Sequence, residues 1–228
     1  MPVFPEAVRS SLGKKYVMAV TGLMLLGFVV AHLLGNLMIF AGPEAFNGYA
    51  KKLLDLGGLL WIARIILLTA VVLHVVSAVK LSAENRAARP QPYAVKKNVE
   101  TTYAARTMLM SGIIITAFLI YHLLHFTFRV TNPEISHGLD AKGRHDTYTM
   151  VVQSFQIPVI SLAYAAAQLF LASHLSHGIG SLFQSLGASD NVWRPRLERG
   201  GHLLAWAIFA GYIMIPVSVM LGWVPLHP

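Results

Sequence analysis

Six of the ten histidines in this 228-residue chain lie in stretches that hold few other polar residues: His32, His74, His122, His125, His174 and His177. An imidazole in such surroundings carries two polar nitrogens that must be satisfied. It can ligate a metal through a neutral nitrogen, pass a proton, or hydrogen-bond a bound group. The other four read as solvated or interfacial side chains. His137 and His145 fall in a polar stretch, His227 adjoins the C-terminus, and His202 stands where an apolar run begins.

The elements that carry the six are apolar throughout. The composition is 55% hydrophobic and 12% charged, where soluble domains carry about 25% charge, and the mean hydropathy is +0.58. Five runs reach the ~20 residues that a helix needs to cross a ~30 Å hydrocarbon core. They cover approximately 15–40, 57–82, 106–129, 157–182 and 202–223. Strand-like alternation is absent, so the expectation is an all-α, polytopic membrane protein, one domain over 1–228 whose five helices form a bundle. The first run is long for a signal peptide and lacks a small-residue cleavage site, so it reads as a retained helix.

With the N-terminus inside, lysine and arginine divide twelve to six in favour of the inner side, where Arg9, Arg89, Lys96 and Lys97 are counted. The positive-inside rule therefore places the N-terminus in the cytoplasm and the C-terminus outside. The formal charge of +8 follows from that topology, and no nucleic-acid partner is needed to explain it.

Four histidines occupy equivalent positions. His32, His74 and His174 each lie 17 residues from the start of their run, and His122 lies 16 from the start of its own. Successive helices run in opposite directions, so His32 and His122 share a level towards the outside, and His74 and His174 share one towards the cytoplasm. At 1.5 Å per residue the two levels are about 14 Å apart. Two imidazoles at one depth on facing helices suit the axial sites of a haem. Each gives Nε2 to iron and donates from the other nitrogen, most simply to a carbonyl one turn back. Two such pairs make two haem sites.

The chain has no cysteine, which excludes thiolate metal sites, iron–sulfur ligation and covalent c-type haem within it. His122/His125 and His174/His177 are also i, i+3 pairs, but no Glu-x-x-His set accompanies them, so a di-iron bundle is not indicated. His125 and His177 are read as candidates for haem propionates, a quinone or an interface. Arg64 lies ten residues before His74, about 15 Å back along the helix, and is a candidate partner for a propionate of the outer haem. None of the connections is long enough for a catalytic domain.

"AHLLGN" (31–36), "LHVVSAVKL" (73–81), "SGIIITAFLIYHLLHF" (111–126) and "ASHLSHGIGSLFQSLG" (172–187), with "GPEAFNGYA" (42–50), resemble the single-chain, five-helix, di-haem cytochrome b anchor of succinate:quinone oxidoreductases and fumarate reductases. The resemblance covers nearly the whole chain in order. It implies two b haems, a distal one held by His32 and His122 and a proximal one held by His74 and His174. It also implies a flavoprotein and an iron–sulfur partner docked on the cytoplasmic face at 83–104 and 184–201, and a quinone, menaquinone by preference. Glu44, with Asn47 beside it, matches the carboxylate that recurs near the quinone in that family. The implied place is the inner membrane of a prokaryote. Rival expectations are the cytochrome b anchor of a hydrogenase or formate dehydrogenase, and a haem-free transporter that uses histidines as proton relays.

Overall fold

The computed structural model describes residues 10–88, 103–188 and 190–226. Arg9, Arg89, Lys96, Lys97 and His227 lie outside the described residues, as does most of the 83–104 connection. The described residues contain no strand; Leu139 and His145 form one isolated antiparallel bridge.

Among the described residues nine α-helices follow in order: α1 (Ser11–Leu37), α2 (Pro43–Leu54), α3 (Gly58–Ala87), α4 (Tyr103–Arg106), α5 (Met108–His122), α6 (Pro133–Ser136), α7 (Thr147–Gln156), α8 (Pro158–Ser185) and α9 (Trp193–Met220). Five helical spans among the described residues are long and apolar enough to cross a membrane: Ser11–Ala41, Gly58–Ala87, Met108–Thr127, Pro158–Ser185 and Trp193–Met220. Their outward apolar side chains, such as Trp61 (62% exposed) and Leu203 (75%), would be costly in water, and a helix that is apolar all round is what a bilayer accommodates. The chain is a multi-pass, all-α membrane protein.

The expected and observed spans agree within a few residues except at α9, which starts nine residues before His202. Asp190 starts it: its side chain accepts from Val192 N (2.9 Å) and Trp193 N (2.7 Å), satisfying amides that a helix start leaves open. Hydropathy marks where a helix enters an apolar environment, and "WRPRLERGG" is helical but polar. His202 is therefore an exposed residue within α9. Pro158 opens α8, where its missing N–H costs nothing, and Pro216 lies inside α9.

The chain divides into two compact units, to each of which all five long helices contribute a segment. The first holds the described residues of Met1–Phe28, Arg64–Gly112 and Ser173–Ala205; the second holds those of Val29–Ala63, Ile113–Ala172 and Trp206–Pro228. In the first unit α8 and α9 approach closely: a Cβ on Gly201 would stand 3.0 Å from Ile179. Lys14 and Glu84 pair between α1 and α3.

The second unit has the better-formed core, and the connections build much of it. Phe46 from α2 and Tyr148, Met150, Val151, Val152 and Phe155 from α7 pack with Ile160, Tyr164, Ile215, Val219 and Val224. The connections over 41–58 and 130–153 fold into α2, α6 and much of α7. Gly42, at φ 89°, makes the turn into Pro43 and α2. Asp146 caps α7 by accepting from Thr149 N at 3.0 Å.

Candidate functional site

In the first unit His74 on α3 faces His174 on α8, with ring centres 6.4 Å apart. The Nδ1 of His74 lies 3.0 Å from the Met18 carbonyl oxygen and 3.3 Å from Thr21 Oγ1, both on α1. A carbonyl only accepts, so Nδ1 is the protonated nitrogen and Nε2 keeps its lone pair. His174 reaches the same state by another route. Its Nδ1 is 3.1 Å from Ser111 Oγ on α5, and that hydroxyl gives its one proton to Met108 O at 3.0 Å. Ser111 can then only accept from the ring, so Nδ1 again carries the hydrogen.

The expected acceptor one turn back on the same helix is thus replaced, for this pair, by groups on a neighbouring helix. Glycine makes the approach possible. A Cβ on Gly22 would stand 3.2 Å from His74 Cε1, and one on Gly112 would stand 3.5 Å from His174 Cε1. Both cradles carry one pattern: Met18-x-x-Thr21-Gly22 and Met108-x-x-Ser111-Gly112, each followed ten residues after its glycine by His32 or His122. Sequence reasoning that counted only histidines missed this repeat, although an internal comparison at a 90-residue offset finds it.

In the second unit His32 on α1 faces His122 at the end of α5, with ring centres 5.8 Å apart and planes at 84°. Tyr212 on α9 lies 6.3 Å from the His32 ring and donates from its hydroxyl to Val29 O at 2.8 Å. Leu33 seats against Gly211, where a Cβ would come within 2.9 Å of it. Tyr164 on α8 places its hydroxyl 3.4 Å from His122 Nδ1 and 3.0 Å from His125 Nδ1. The backbone widens here into a π-helical turn, Leu123–Thr127, a distortion frequent at functional sites. The chain leaves it through Arg129, at φ 58°.

These separations can be compared with what a metal requires. A metal–imidazole nitrogen bond is about 2 Å, and a ring nitrogen lies roughly 1 Å from its ring centre. Two imidazoles facing each other across one ion therefore have centres about 6 Å apart. Both pairs meet that distance. Among the described residues no group of three or more His, Cys, Asp and Glu could hold a metal, so each pair offers two donors only. A two-imidazole set suits an ion whose other four ligands come from a planar macrocycle.

The remaining candidates are placed differently. Glu44 is exposed, and its carboxylate meets Lys142 Nζ at 2.7 Å and Arg144 Nη2 at 2.8 Å. Hydrogen bonds from Arg144 and Lys142 hold its pKa below the ordinary value. Asn47 is buried; its Nδ2 donates to Asp146 Oδ1 (3.0 Å) and its Oδ1 accepts from Tyr148 N (2.9 Å). Both side chains tie α2 to the segment that includes α7. Arg64 is half-buried in the second turn of α3. His125 is fully buried, and half-buried His177 lies within electrostatic range of Glu198 and His202.

His145 departs from the solvated reading. It is half-buried, its Nε2 has no partner among the described residues, and burial, then the charge of Arg129, lower its pKa. A cleft of about 120 Å³ opens between Ile39, Phe40, Gly42, Tyr148, Trp223, Val224 and Pro225, smaller than the roughly 300 Å³ where small-molecule sites begin.

Comparison with protein families, with characterised proteins and with solved structures yields no match.

Proposed function

We propose that this chain is a di-haem cytochrome b membrane anchor that carries electrons between an iron–sulfur subunit and a quinone, in a complex of the succinate:quinone oxidoreductase kind. The observation that carries the reading is the facing of two histidine pairs, His32 with His122 at 5.8 Å and His74 with His174 at 6.4 Å. These are the partners that helix direction assigns from sequence spacing alone.

Each haem, when bound, would supply a one-electron ferric/ferrous couple in a chain that has no cysteine to hold an iron–sulfur centre. The residues provide the rest. His74 and His174 offer Nε2 because Met18, Thr21 and Ser111 fix the hydrogen on Nδ1. Gly22 and Gly112 let those rings lie against helix backbone, and the apolar helices keep water from the imidazoles. His177 and Arg64 are the proposed contacts of propionates, and His125, buried with its Nδ1 3.0 Å from the Tyr164 hydroxyl, is proposed as a support of that residue instead. Menaquinone is the proposed quinone, with Glu44 and Asn47 as residues near it, and succinate chemistry belongs to a flavoprotein partner. The N-terminus faces the cytoplasm of a prokaryote in this reading. The resemblance of the histidine-bearing motifs supports the choice of complex.

Reduced-minus-oxidised spectra of the purified chain and of four single His→Ala variants test the assignment. Wild type is expected to hold two b haems, and each variant one. The haem lost from His32→Ala should be the one lost from His122→Ala, and His74→Ala and His174→Ala should share the other. Retention of both haems in any of the four overturns the pairing. A co-purifying flavoprotein with succinate-dependent quinone reduction separates this complex from hydrogenase or formate dehydrogenase anchors.

A further inference from the structure

The two histidine pairs differ in how their Nδ1 atoms are held, and the difference lies in counting protons. In the first unit each hydroxyl near a histidine has already given its hydrogen to backbone: Thr21 to Val17 O at 2.7 Å and Ser111 to Met108 O at 3.0 Å. Those hydroxyls are end points that only accept. In the second unit the Tyr164 hydroxyl stands between two imidazoles, 3.4 Å from His122 Nδ1 and 3.0 Å from His125 Nδ1. It has one hydrogen to give and can accept from the other ring.

Coordination through His122 Nε2 decides the direction. His122 then keeps its hydrogen on Nδ1 and donates it to the phenol oxygen. The phenol in turn donates to His125 Nδ1, and the hydrogen of His125 moves to Nε2. That nitrogen is buried and has no partner among the described residues, in a side chain that is 0% exposed. A residue buried at that cost with one nitrogen spare is placed for the bond its other nitrogen makes. Its ring is fixed by stacking on Phe126, with centres 4.0 Å apart and planes at 22°. Tyr164 is gripped by Phe118, Phe155 and Phe126, with ring centres at 4.9, 5.1 and 5.7 Å.

We propose that Tyr164, backed by His125, is the positioning residue of the His32/His122 centre: its phenol orients His122 and accepts its Nδ1 hydrogen, setting the potential of that haem independently of the other. This rests on the haem reading above. An acceptor at Nδ1–H makes an imidazole a stronger donor to metal, which favours the ferric state. Because the phenol oxygen also donates to His125, its acceptor strength depends on that second bond.

Redox titration of the haems in the membrane-extracted protein tests it, with the His32/His122 haem identified by its loss from His32→Ala. Tyr164→Phe keeps every ring contact and removes the hydroxyl. It is expected to raise that haem's midpoint potential by the equivalent of a tenfold change in its ferric/ferrous ratio, about 59 mV, and to leave the His74/His174 haem unmoved. His125→Leu should shift the same haem in the same direction by less. His125→Asn, whose amide oxygen takes the place of Nδ1, should restore the wild-type value. Two unmoved potentials in Tyr164→Phe, or a shift of the His74/His174 haem, overturn the proposal. If Tyr164→Phe cannot retain the haem, the Leu and Asn variants decide it: equal potentials in the two refute it. A wild-type protein without haem refutes the function and this inference together, whereas two haems with no Tyr164 effect refute this inference alone.

Discussion

Ser111→Ala and Thr21→Val remove matched hydroxyls from the two cradles of the His74/His174 centre, yet their effects should differ. His74 has two acceptors for its Nδ1 hydrogen, and the one that survives Thr21→Val, the Met18 carbonyl at 3.0 Å, is the shorter. His174 is held by Ser111 at 3.1 Å, with the Met108 carbonyl, already occupied by Ser111, as its further partner. Losing an outer partner of a metal-bound histidine typically weakens metal binding about 10–100-fold. Met108 O, freed by the substitution, should hold Ser111→Ala to about the lower end, roughly tenfold or 1.4 kcal/mol. Thr21→Val should stay below about threefold, since its better hydrogen bond is intact. The assay is haem loss to an excess of a haem-scavenging apoprotein, followed on the Soret band in a His32→Ala background, so that only this centre contributes. Equal retention in the two variants, or a larger loss from Thr21→Val, would refute the tautomer argument.

Three other outcomes follow from local geometry. Gly22→Ala should destabilise haem binding at His74 more than Gly112→Ala does at His174, because the added methyl meets the ring at 3.2 Å in one case and 3.5 Å in the other; pyridine haemochrome content of each variant measures this. Asn47→Ala should lower the thermal midpoint in detergent, since it removes the hydrogen bonds of a buried amide to Tyr148 N and Asp146 Oδ1, about 1 kcal/mol each, and by more than Glu44→Gln, which removes only exposed ion pairs. His145 has a folded pKa below its unfolded value, so the stability it contributes is present above about pH 6.5 and is lost as pH falls through the lowered folded value. Exchange protection factors over 129–157, each referred to the intrinsic amide rate at its own pH, should fall on acidification from pH 7.5 to 5, and His145→Asn should flatten that dependence; unchanged protection factors in wild type contradict it.

The sequence exposed the two histidine pairs more readily than their surroundings. Four histidines stand out because ionisable groups are rare in lipid-facing helices, and helix direction alone assigns His32 to His122 and His74 to His174. Helix extents followed hydropathy where apolar character and helicity coincide, as in α3 and α8. They diverged at α9, where Asp190 caps a polar turn, and in the connections, where α2 and α7 are too short and too mixed in polarity to stand out as apolar runs. Thr21, Ser111, Tyr164 and Tyr212 went unread because hydroxyls in apolar helices are common. Their meaning comes from a partner 42 to 183 residues away. The Met-x-x-Thr/Ser-Gly repeat was visible in the letters but acquires significance only once each glycine faces a histidine ring. His145 looked solvated because its neighbours in sequence are polar, while the fold half-buries it.

The central claim is that each facing pair holds a haem. A reduced-minus-oxidised difference spectrum of the purified protein, with haem quantified per chain, tests it most directly. Two b-type haems per polypeptide, falling to one in any of the four single His→Ala variants, is the predicted result. A colourless protein with no Soret band would contradict it.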